Sequence, residues 1–200
     1  MAVLSHPLSG HRRLVLLLAT AGGIVLVLAA VVTLAATLTF SSFATSVRPA
    51  GIFVPTEEDG LIASDTALSV DDDSHPALAR LDPALLDALR AAQAAAEADG
   101  IRFDITSGWR SVDLQRQLLA DAVHTYGSEE VARQYVATPD ASSHVTGQAV
   151  DIGTLDAQLW IIEHGRAWGL CQTYANERWH FERATEPGDE CPEPKLDARG

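Results

Sequence analysis

The sequence predicts a domain of helices and short strands that follows a single N-terminal transmembrane helix. Residues 14–40 contain no charged side chain, and about 20 apolar residues suffice for a helix to cross a bilayer. From Leu78 onward, apolar side chains recur instead at helical or alternating spacing, and turn residues separate these segments. A chain of 200 residues is long enough for one domain and such extensions.

The residues beside the apolar run predict on which side of the membrane the domain lies. Arg12 and Arg13 precede the run, so the positive-inside rule places residues 1–13 in the cytoplasm and the domain outside. A cleaved signal peptide is the alternative, because residues 42–44 (Ser-Phe-Ala) have the small-x-small pattern of a cleavage site. Both interpretations predict an extracytoplasmic domain, which is anchored by a single-pass helix or secreted.

The charge of the chain argues against one class of partner. It contains 14 basic and 27 acidic residues, a formal net charge of −13, and all the acidic residues follow the apolar run. Such a surface repels phosphate backbones, so we expect no nucleic-acid partner. We expect the chain to be monomeric.

The segments after the apolar run differ in how regular they are. Residues 41–77 are predicted to form a stalk, since prolines, glycines and three consecutive aspartates interrupt any periodicity, although the short apolar stretches at residues 52–54 and 61–62 could still pack on the domain. The domain is predicted at residues 78–183, and its first helix is capped by Asp82 with Pro83 in the first turn. Residues 101–106 alternate apolar and polar side chains, which indicates a half-buried strand.

The rest of the domain repeats these signals, and residues 184–200 form a tail. Proline, glycine and acidic residues dominate the tail, so we expect disorder past Cys191. Three further helices are predicted: one begins at Ser111, one runs from Ser128 through Tyr135, and one is marked by Leu155, Leu159 and Ile162. Strands are predicted at residues 147–152, 170–174 and 178–182, and the last two are expected to form a hairpin.

The only two cysteines, Cys171 and Cys191, predict a disulfide if the domain is extracytoplasmic, because oxidising compartments allow stable disulfides. The closed loop of about 20 residues would contribute roughly 3 kcal/mol in the chain-entropy model. The alternative is one buried thiol and one free thiol in the tail.

Two histidines, an aspartate and a glutamate have the chemistry of a hydrolytic zinc site. His144 and Asp151 are seven residues apart, an odd spacing that would send them to opposite faces of one strand. We therefore place His144 in a loop and Asp151 on the following strand, with Gly147 at the turn between them. In the last predicted strand, alternation turns Trp179 and Phe181 toward the core and His180 toward a cleft. The predicted zinc ligands are His144, Asp151 and His180.

Glu177 lies three residues before the last of these ligands, at the mouth of the strand. A single glutamate is usually a solvated surface residue. A catalytic zinc site, however, combines three nitrogen or oxygen ligands with an open position for water and a nearby carboxylate that is not a ligand. The combination therefore predicts a zinc site in which Glu177 acts on the water.

Three sequence blocks resemble those of the VanY-type D-alanyl-D-alanine carboxypeptidases. Residues 107–111 read SGWRS and are followed by Gln115, residues 142–151 read SSHVTGQAVD, and residues 177–180 read ERWH. They occur in the order typical of the family, and the resemblance covers roughly residues 78–183. One difference is that Trp109 stands where the family usually has tyrosine, which keeps a flat aromatic side chain without the hydroxyl.

The resemblance implies an α+β fold, in which helices flank a small antiparallel sheet and zinc lies on the open sheet face. It also implies that Glu177 is the general base and that Arg110, at a turn after a strand, stabilises the oxyanion. Ser142 is expected to brace its loop or to bind substrate rather than to attack it. Ser111 and Gln115 are expected to bind substrate or, alternatively, to cap the helix that follows. The residues assigned to substrate binding are Trp109, Ser111, Gln115 and Ser142.

The implied activity is the removal of terminal D-alanine from peptidoglycan stem peptides, which an anchored extracytoplasmic domain would face. Another zinc peptidase of the same fold, cutting a dipeptide, an L,D-bond or a cross-link, is the nearest alternative. A wall-binding module without catalysis would be expected to lack the base or a ligand, and all four residues are present. A purely structural membrane-tethered protein would hold no metal.

Overall fold

An antiparallel sheet of four short strands organises residues 53–199, the part of the chain that this computed structural model describes. The strands are β1 (Ile105–Ser107), β2 (Ala149–Ile152), β3 (Leu170–Gln172) and β4 (His180–Arg183). Their order in the sheet is β1-β2-β4-β3, and every neighbouring pair is antiparallel. This arrangement confirms the predicted α+β class and the predicted hairpin of the last two strands.

Residues 53–199 contain five α-helices, and two of them begin at Asp82 and Ser111 as the sequence predicts. Asp82 accepts hydrogen bonds from Ala84 N and Leu85 N, and Ser111 accepts one from Leu114 N. The helices are α1 (Pro76–Ala79), α2 (Pro83–Ala96), α3 (Val112–Tyr126), α4 (Glu129–Ala132) and α5 (Leu155–His164). Short 3-10 turns occupy Glu57–Asp59, Glu97–Asp99 and Gly165–Trp168.

The core lies between α2 and one face of the sheet. Leu85 and Leu89 of α2 are buried together with Val150, Ile152 and Phe181 of the two central strands. Because side chains alternate along a strand, the residues between these positions face the other side of the sheet. That second face is where the site lies.

The first strand is shorter than the alternation over residues 101–106 predicts. Gln93 of α2 accepts a hydrogen bond from Phe103 N at 2.6 Å and donates one to Ile101 O at 3.2 Å. A helix side chain therefore satisfies main-chain groups that a neighbouring strand would otherwise bind. Regular strand begins only at Ile105.

Helix α5 lies where the sequence predicts a helix, but the apolar residues that mark it in the sequence are not the ones that it buries. Its buried side chains include Ala157, Trp160 and Ile161. The Trp160 ring lies 5.9 Å from the Phe103 ring, and this packing fixes which face turns inward. The side chains of the predicted stripe are instead about half exposed, namely Leu155, Leu159 and Ile162.

Residues 53–77 pack on the domain, so this stretch is not a free stalk and follows the alternative that its apolar residues pack there. Leu68 and Ile105 exchange two main-chain hydrogen bonds of 2.8 and 3.0 Å, and Val70 is buried in the core. Asp59 O accepts a hydrogen bond from Ser111 N at 2.8 Å. Buried apolar side chains and strand-type pairing hold this segment despite its irregular sequence.

The tail also differs from its prediction. Cys171 and Cys191 form the expected disulfide, which fastens the middle of the tail to β3. Beyond it the main chain does not remain unpaired, because Lys195 forms a parallel bridge with Tyr174. The expected disorder past Cys191 is therefore wrong for the tail residues up to Arg199.

The apolar run at residues 14–40 lies outside the described residues. Within residues 53–199, no helix has both the length and the apolar character that crossing a bilayer requires.

Candidate metal centre

A tight turn and the strand that follows it position the first two predicted ligands. His144 lies in the turn, whose Gly147 N donates to His144 O at 3.1 Å, and Asp151 lies on β2. Gly147 has a φ of 75°, and a Cβ at this position would lie 2.4 Å from Arg80 O. Glycine is thus required for the turn, and the predicted placement of one ligand in a loop and one on a strand is confirmed.

Strand pairing brings the third ligand to the same place. In the register of β2 with β4, Asp151 pairs with His180, and the neighbouring pair is Val150 with Phe181. Paired residues point to the same face of a sheet. Asp151 and His180 therefore share the face opposite the core, and zinc is expected on this open face.

The three ligand atoms form a nearly equilateral triangle. His144 Nε2 lies 3.2 Å from His180 Nδ1 and 3.4 Å from Asp151 Oδ1, and His180 Nδ1 lies 3.3 Å from Asp151 Oδ1. In tetrahedral zinc sites with bonds of about 2.0–2.1 Å, two ligand atoms are about 3.3–3.4 Å apart. All three side chains are buried, and Asp151 Oδ1 has no hydrogen-bond partner among residues 53–199. The donor set, its spacing and the unpaired oxygen fit a zinc ion.

Each histidine has a protein partner at the ring nitrogen outside the triangle. His144 Nδ1 lies 2.8 Å from Gly108 O, which can only accept, so Nδ1 carries the hydrogen and Nε2 is free to bind a metal. His180 Nε2 lies 3.0 Å from Glu182 Oε1, which holds a hydrogen on Nε2 and reserves Nδ1 for the triangle. These outer contacts fix both ring orientations.

The two imidazoles differ in charge before a metal binds. Burial, together with the charge of Arg110, lowers the pKa of His144 to about 4, so this ring is neutral. Burial also acts to lower the pKa of His180, but hydrogen bonds and charges from Asp151 and Glu182 outweigh it and raise that pKa to about 9. His180 therefore carries a proton at neutral pH that a metal must displace.

Arg110 holds the aspartate ligand in place. Its guanidinium donates from Nε to Ser107 Oγ at 2.9 Å, from Nη1 to Gln115 Oε1 at 3.1 Å and from Nη2 to Asp151 Oδ2 at 3.0 Å. Burial acts to raise the pKa of Asp151, but His144, His180 and Arg110 together hold this pKa well below its usual range. Asp151 is thus ionised, with one oxygen bound by Arg110 and the other facing the histidines.

Glu177 supplies the carboxylate that is not part of the triangle. Its side chain is buried, Oε2 lies 3.9 Å from His180 Nδ1, and Oε1 has no hydrogen-bond partner in the described part of the chain. Burial raises the pKa of Glu177 to about 7. The positive charge of His180 acts to lower this pKa, but the negative charge of the nearby Asp151 carboxylate acts against it. A carboxyl group with this pKa can both take up and release a proton near neutrality.

The residues predicted to bind substrate divide into two groups. Gln115 and Ser142 line the cleft, and Gln115 also supports Arg110. Ser111 instead caps α3 and donates to the Asp59 carboxylate at 3.2 Å. Trp109 packs against the core, with the Arg80 guanidinium 4.3 Å from its ring centre. Within residues 53–199, neither Ser111 nor Trp109 belongs to the cleft lining.

Two residues of the site differ from the sequence prediction: Glu182 was not identified, and Trp179 was placed in the core. Glu182 lies two positions after His180 and shares its strand face, so period-two alternation would have identified it. The prediction that Trp179 anchors in the core is wrong, since it is 41% exposed and lines the cleft. It precedes the first residue of β4, where regular alternation begins.

Two imidazoles, an aspartate and a separate buried carboxylate on an open sheet face define a zinc metallopeptidase centre. The family model VanY, D-alanyl-D-alanine carboxypeptidase, matches residues 78–184, more than half of the chain. The chain therefore belongs to the VanY family.

Individual relatives agree with this family. A D-alanyl-D-alanine carboxypeptidase of Enterococcus faecalis (strain ATCC 700802 / V583) is 27% identical over 112 residues, which cover 44% of this chain and 42% of that protein. The match thus spans less than half of the length of this curated relative.

A solved VanY structure shows the same fold. A mutant of the vancomycin resistance D,D-pentapeptidase VanY from a VanB-type cassette, in complex with Zn(II), has a TM-score of 0.50 at 25% identity, over 52% of this chain and 73% of that one. The LdcB LD-carboxypeptidase has a TM-score of 0.46 at 26% identity, over 51% of this chain and 58% of that one.

Proposed function

We propose that this protein is a zinc-dependent D,D-carboxypeptidase that releases terminal D-alanine from peptidoglycan stem peptides. One observation carries the proposal. Two buried carboxylate oxygens, Asp151 Oδ1 and Glu177 Oε1, have no hydrogen-bond partner within residues 53–199, and their residues line one cleft with two histidines. Buried polar atoms are normally hydrogen-bonded, so these two indicate a bound metal and its water. Membership of the VanY family supports the choice of substrate.

His144, Asp151 and His180 would hold the zinc ion. When bound, zinc acts as a Lewis acid and lowers the pKa of a water molecule toward neutrality. The protein residues perform the remaining steps of peptide hydrolysis.

Glu177 moves the proton. Its unpaired Oε1 accepts a proton from the attacking water, and the same oxygen then returns it to the amine of the departing D-alanine. In the metal-free protein, burial raises the pKa of Glu177 to about 7, so this carboxylate takes up a proton more readily than an exposed glutamate does.

Arg110 stabilises the negative charge that develops on the peptide carbonyl oxygen. The guanidinium has more N–H donors than its contacts with Ser107, Gln115 and Asp151 use, and it lines the cleft. Because these contacts already fix its position, its remaining donors need no reorganisation as the charge forms.

We also propose that the domain acts outside the cytoplasm and that residues 14–40 anchor it to the membrane. The uncharged length of this run and the two arginines before it support an anchor. The Cys171–Cys191 disulfide suits an oxidising compartment. A secreted form cleaved near residues 42–44 would differ in its mature N-terminus, which mass spectrometry of the protein from membrane and medium fractions would reveal.

The proposed reaction is tested with a synthetic stem pentapeptide that ends in D-Ala-D-Ala. We expect mass spectrometry to show loss of one alanine, a chelator to stop the reaction and added zinc to restore it. Release of a dipeptide, or cleavage of an L,D-bond or cross-link, would assign the site to another zinc peptidase. No cleavage of any defined muropeptide by zinc-loaded protein would favour a wall-binding module.

A further inference from the structure

The tail beyond the disulfide runs along the end of the strand hairpin. We call residues 192–199 the tail segment; it follows the disulfide-bonded Cys191. Within it, Lys195 O accepts a hydrogen bond from Ala175 N at 2.8 Å, and Lys195 N donates to Thr173 O at 2.9 Å. A covalent bond and strand-type pairing thus hold this segment against β3 and the turn after it.

The far end of the tail segment reaches the catalytic cleft. Ala198 lines the same cleft as Arg110 and Glu177. Ala198 N donates to Gln134 O at 3.4 Å, and Asn176 Nδ2 donates to the same oxygen at 2.8 Å. The tail segment and the hairpin turn therefore meet the segment after α4 at one carbonyl group.

We propose that the tail segment is a wall of the substrate cleft, with Ala198 the residue that limits how the stem peptide fits there. This inference rests on the proposed function for the identity of the substrate. The small Ala198 side chain leaves space in the cleft, and the main-chain pairing of Lys195 keeps Ala198 in position. The segment contributes to binding, while the zinc ligands and Glu177 lie elsewhere in the chain.

Three variants test the wall against the full chain. One stops after Cys191, which keeps the disulfide and removes the tail segment. A second, Lys195→Pro, removes the N–H that donates to Thr173 O, and Lys195→Ala is its matched control because it keeps both main-chain hydrogen bonds. The third, Ala198→Trp, fills the cleft from the wall. Zinc content and thermal unfolding show whether each variant retains its fold.

The separation of KM from kcat distinguishes a wall from a catalytic or merely structural role. For the truncated chain, Lys195→Pro and Ala198→Trp, we expect KM for the pentapeptide to rise about fivefold or more, with kcat within about twofold. Lys195→Ala should match the full chain. An unchanged KM in the truncated chain would contradict the proposal that the tail segment is a wall of the cleft. A lower KM would also contradict it and would indicate an inhibitory tail.

Failure of the proposed function would be recognised separately. If the zinc-loaded full chain releases no D-alanine, that function fails, and calorimetry then measures binding of the same pentapeptide to the same variants. We expect the dissociation constant to rise about fivefold or more without the tail segment. Equal affinity of the full and truncated chains for the pentapeptide, or no binding to the full chain, would contradict the proposal that the tail segment is a wall of the cleft.

Discussion

The zinc triangle and the cleft around it differ in how their polar atoms are satisfied. In the triangle, the outer atoms of His144, Asp151 and His180 all bind protein groups, and only the inward-facing atoms remain for a metal. In the cleft, Glu177 Oε1 has no hydrogen-bond partner among the described residues, and Trp179 is 41% exposed. The protein thus fixes the metal face in advance and leaves the substrate face open, as expected where only the first must be rigid.

The largest expected effect comes from breaking the triangle at its aspartate. Asp151→Ala should abolish stoichiometric zinc binding, because it removes a ligand, and leave the buried Arg110 without that carboxylate. Breaking a buried ion pair costs about 3–5 kcal/mol, and we expect the free energy of unfolding to fall by this amount. Elemental analysis and urea unfolding measure both, with the exposed Asp140→Ala as control. A variant that retained one zinc per chain would remove Asp151 from the ligand set.

The next effect separates the base from the ligands. Glu177→Gln should lower kcat about 10²–10⁴-fold, the usual contribution of a general acid–base group, while zinc content stays stoichiometric. D-alanine release and elemental analysis on one preparation provide the comparison, and Glu163→Gln on the surface of α5 is the control. Loss of zinc together with activity would make Glu177 a ligand, and unchanged kcat would remove its role.

The pH dependence of zinc affinity tests the charge difference between the two histidines. In the metal-free protein the pKa of His180 is raised to about 9, so its proton competes with zinc at every pH below that value. The pKa of His144 is lowered to about 4, so this ring adds no competing proton above pH 5. Apparent zinc affinity should therefore fall about tenfold per pH unit between pH 8 and pH 6. Chelator competition measures it, and a hundredfold change per unit would show that both rings are protonated.

A smaller effect concerns the contact outside the triangle. Glu182→Gln weakens the hold on His180 Nε2, and loss of such an outer partner typically costs about 10–100-fold in metal affinity. The comparison belongs at pH 9, because Glu182 also raises the pKa of His180. We further expect the pH range of zinc binding to move to lower pH in this variant. Unchanged affinity and pH range would show that Glu182 does not orient the ring.

The smallest expected effect is at Trp109, which packs on the core outside the cleft. Trp109→Tyr restores the residue typical of the family and weakens the stacking of Arg80, a contact worth about 1 kcal/mol. We expect unfolding free energy to fall by about this amount and kcat/KM to stay within about twofold. A larger change in kcat/KM would support the predicted role of Trp109 as an aromatic wall for substrate.

Local sequence signals predicted well wherever the structure depends on neighbouring residues. Asp82 and Ser111 cap the helices that follow them, because their side chains reach amide groups two or three positions ahead. Gly147 makes the turn between two ligands, because only glycine tolerates its conformation and the nearby main chain. The predicted disulfide followed from compartment and cysteine count.

Predictions failed where distant residues decide the outcome. The stripe on α5 is exposed because Trp160 packs on Phe103, which belongs to another part of the chain. Residues 53–77 pack on the domain through pairing of Leu68 with Ile105. No local spacing encodes either contact.

The sequence by itself determined which residue types can hold zinc, that they lie on a loop and two strands, and where most helices begin. These properties depend on side-chain chemistry and on contacts within a few residues. Only the tertiary structure decided that Asp151 pairs with His180, that Arg110 takes the outer carboxylate oxygen, and that the tail reaches the cleft. Strand register and long-range packing bring these groups together, and both depend on the folding of the whole domain.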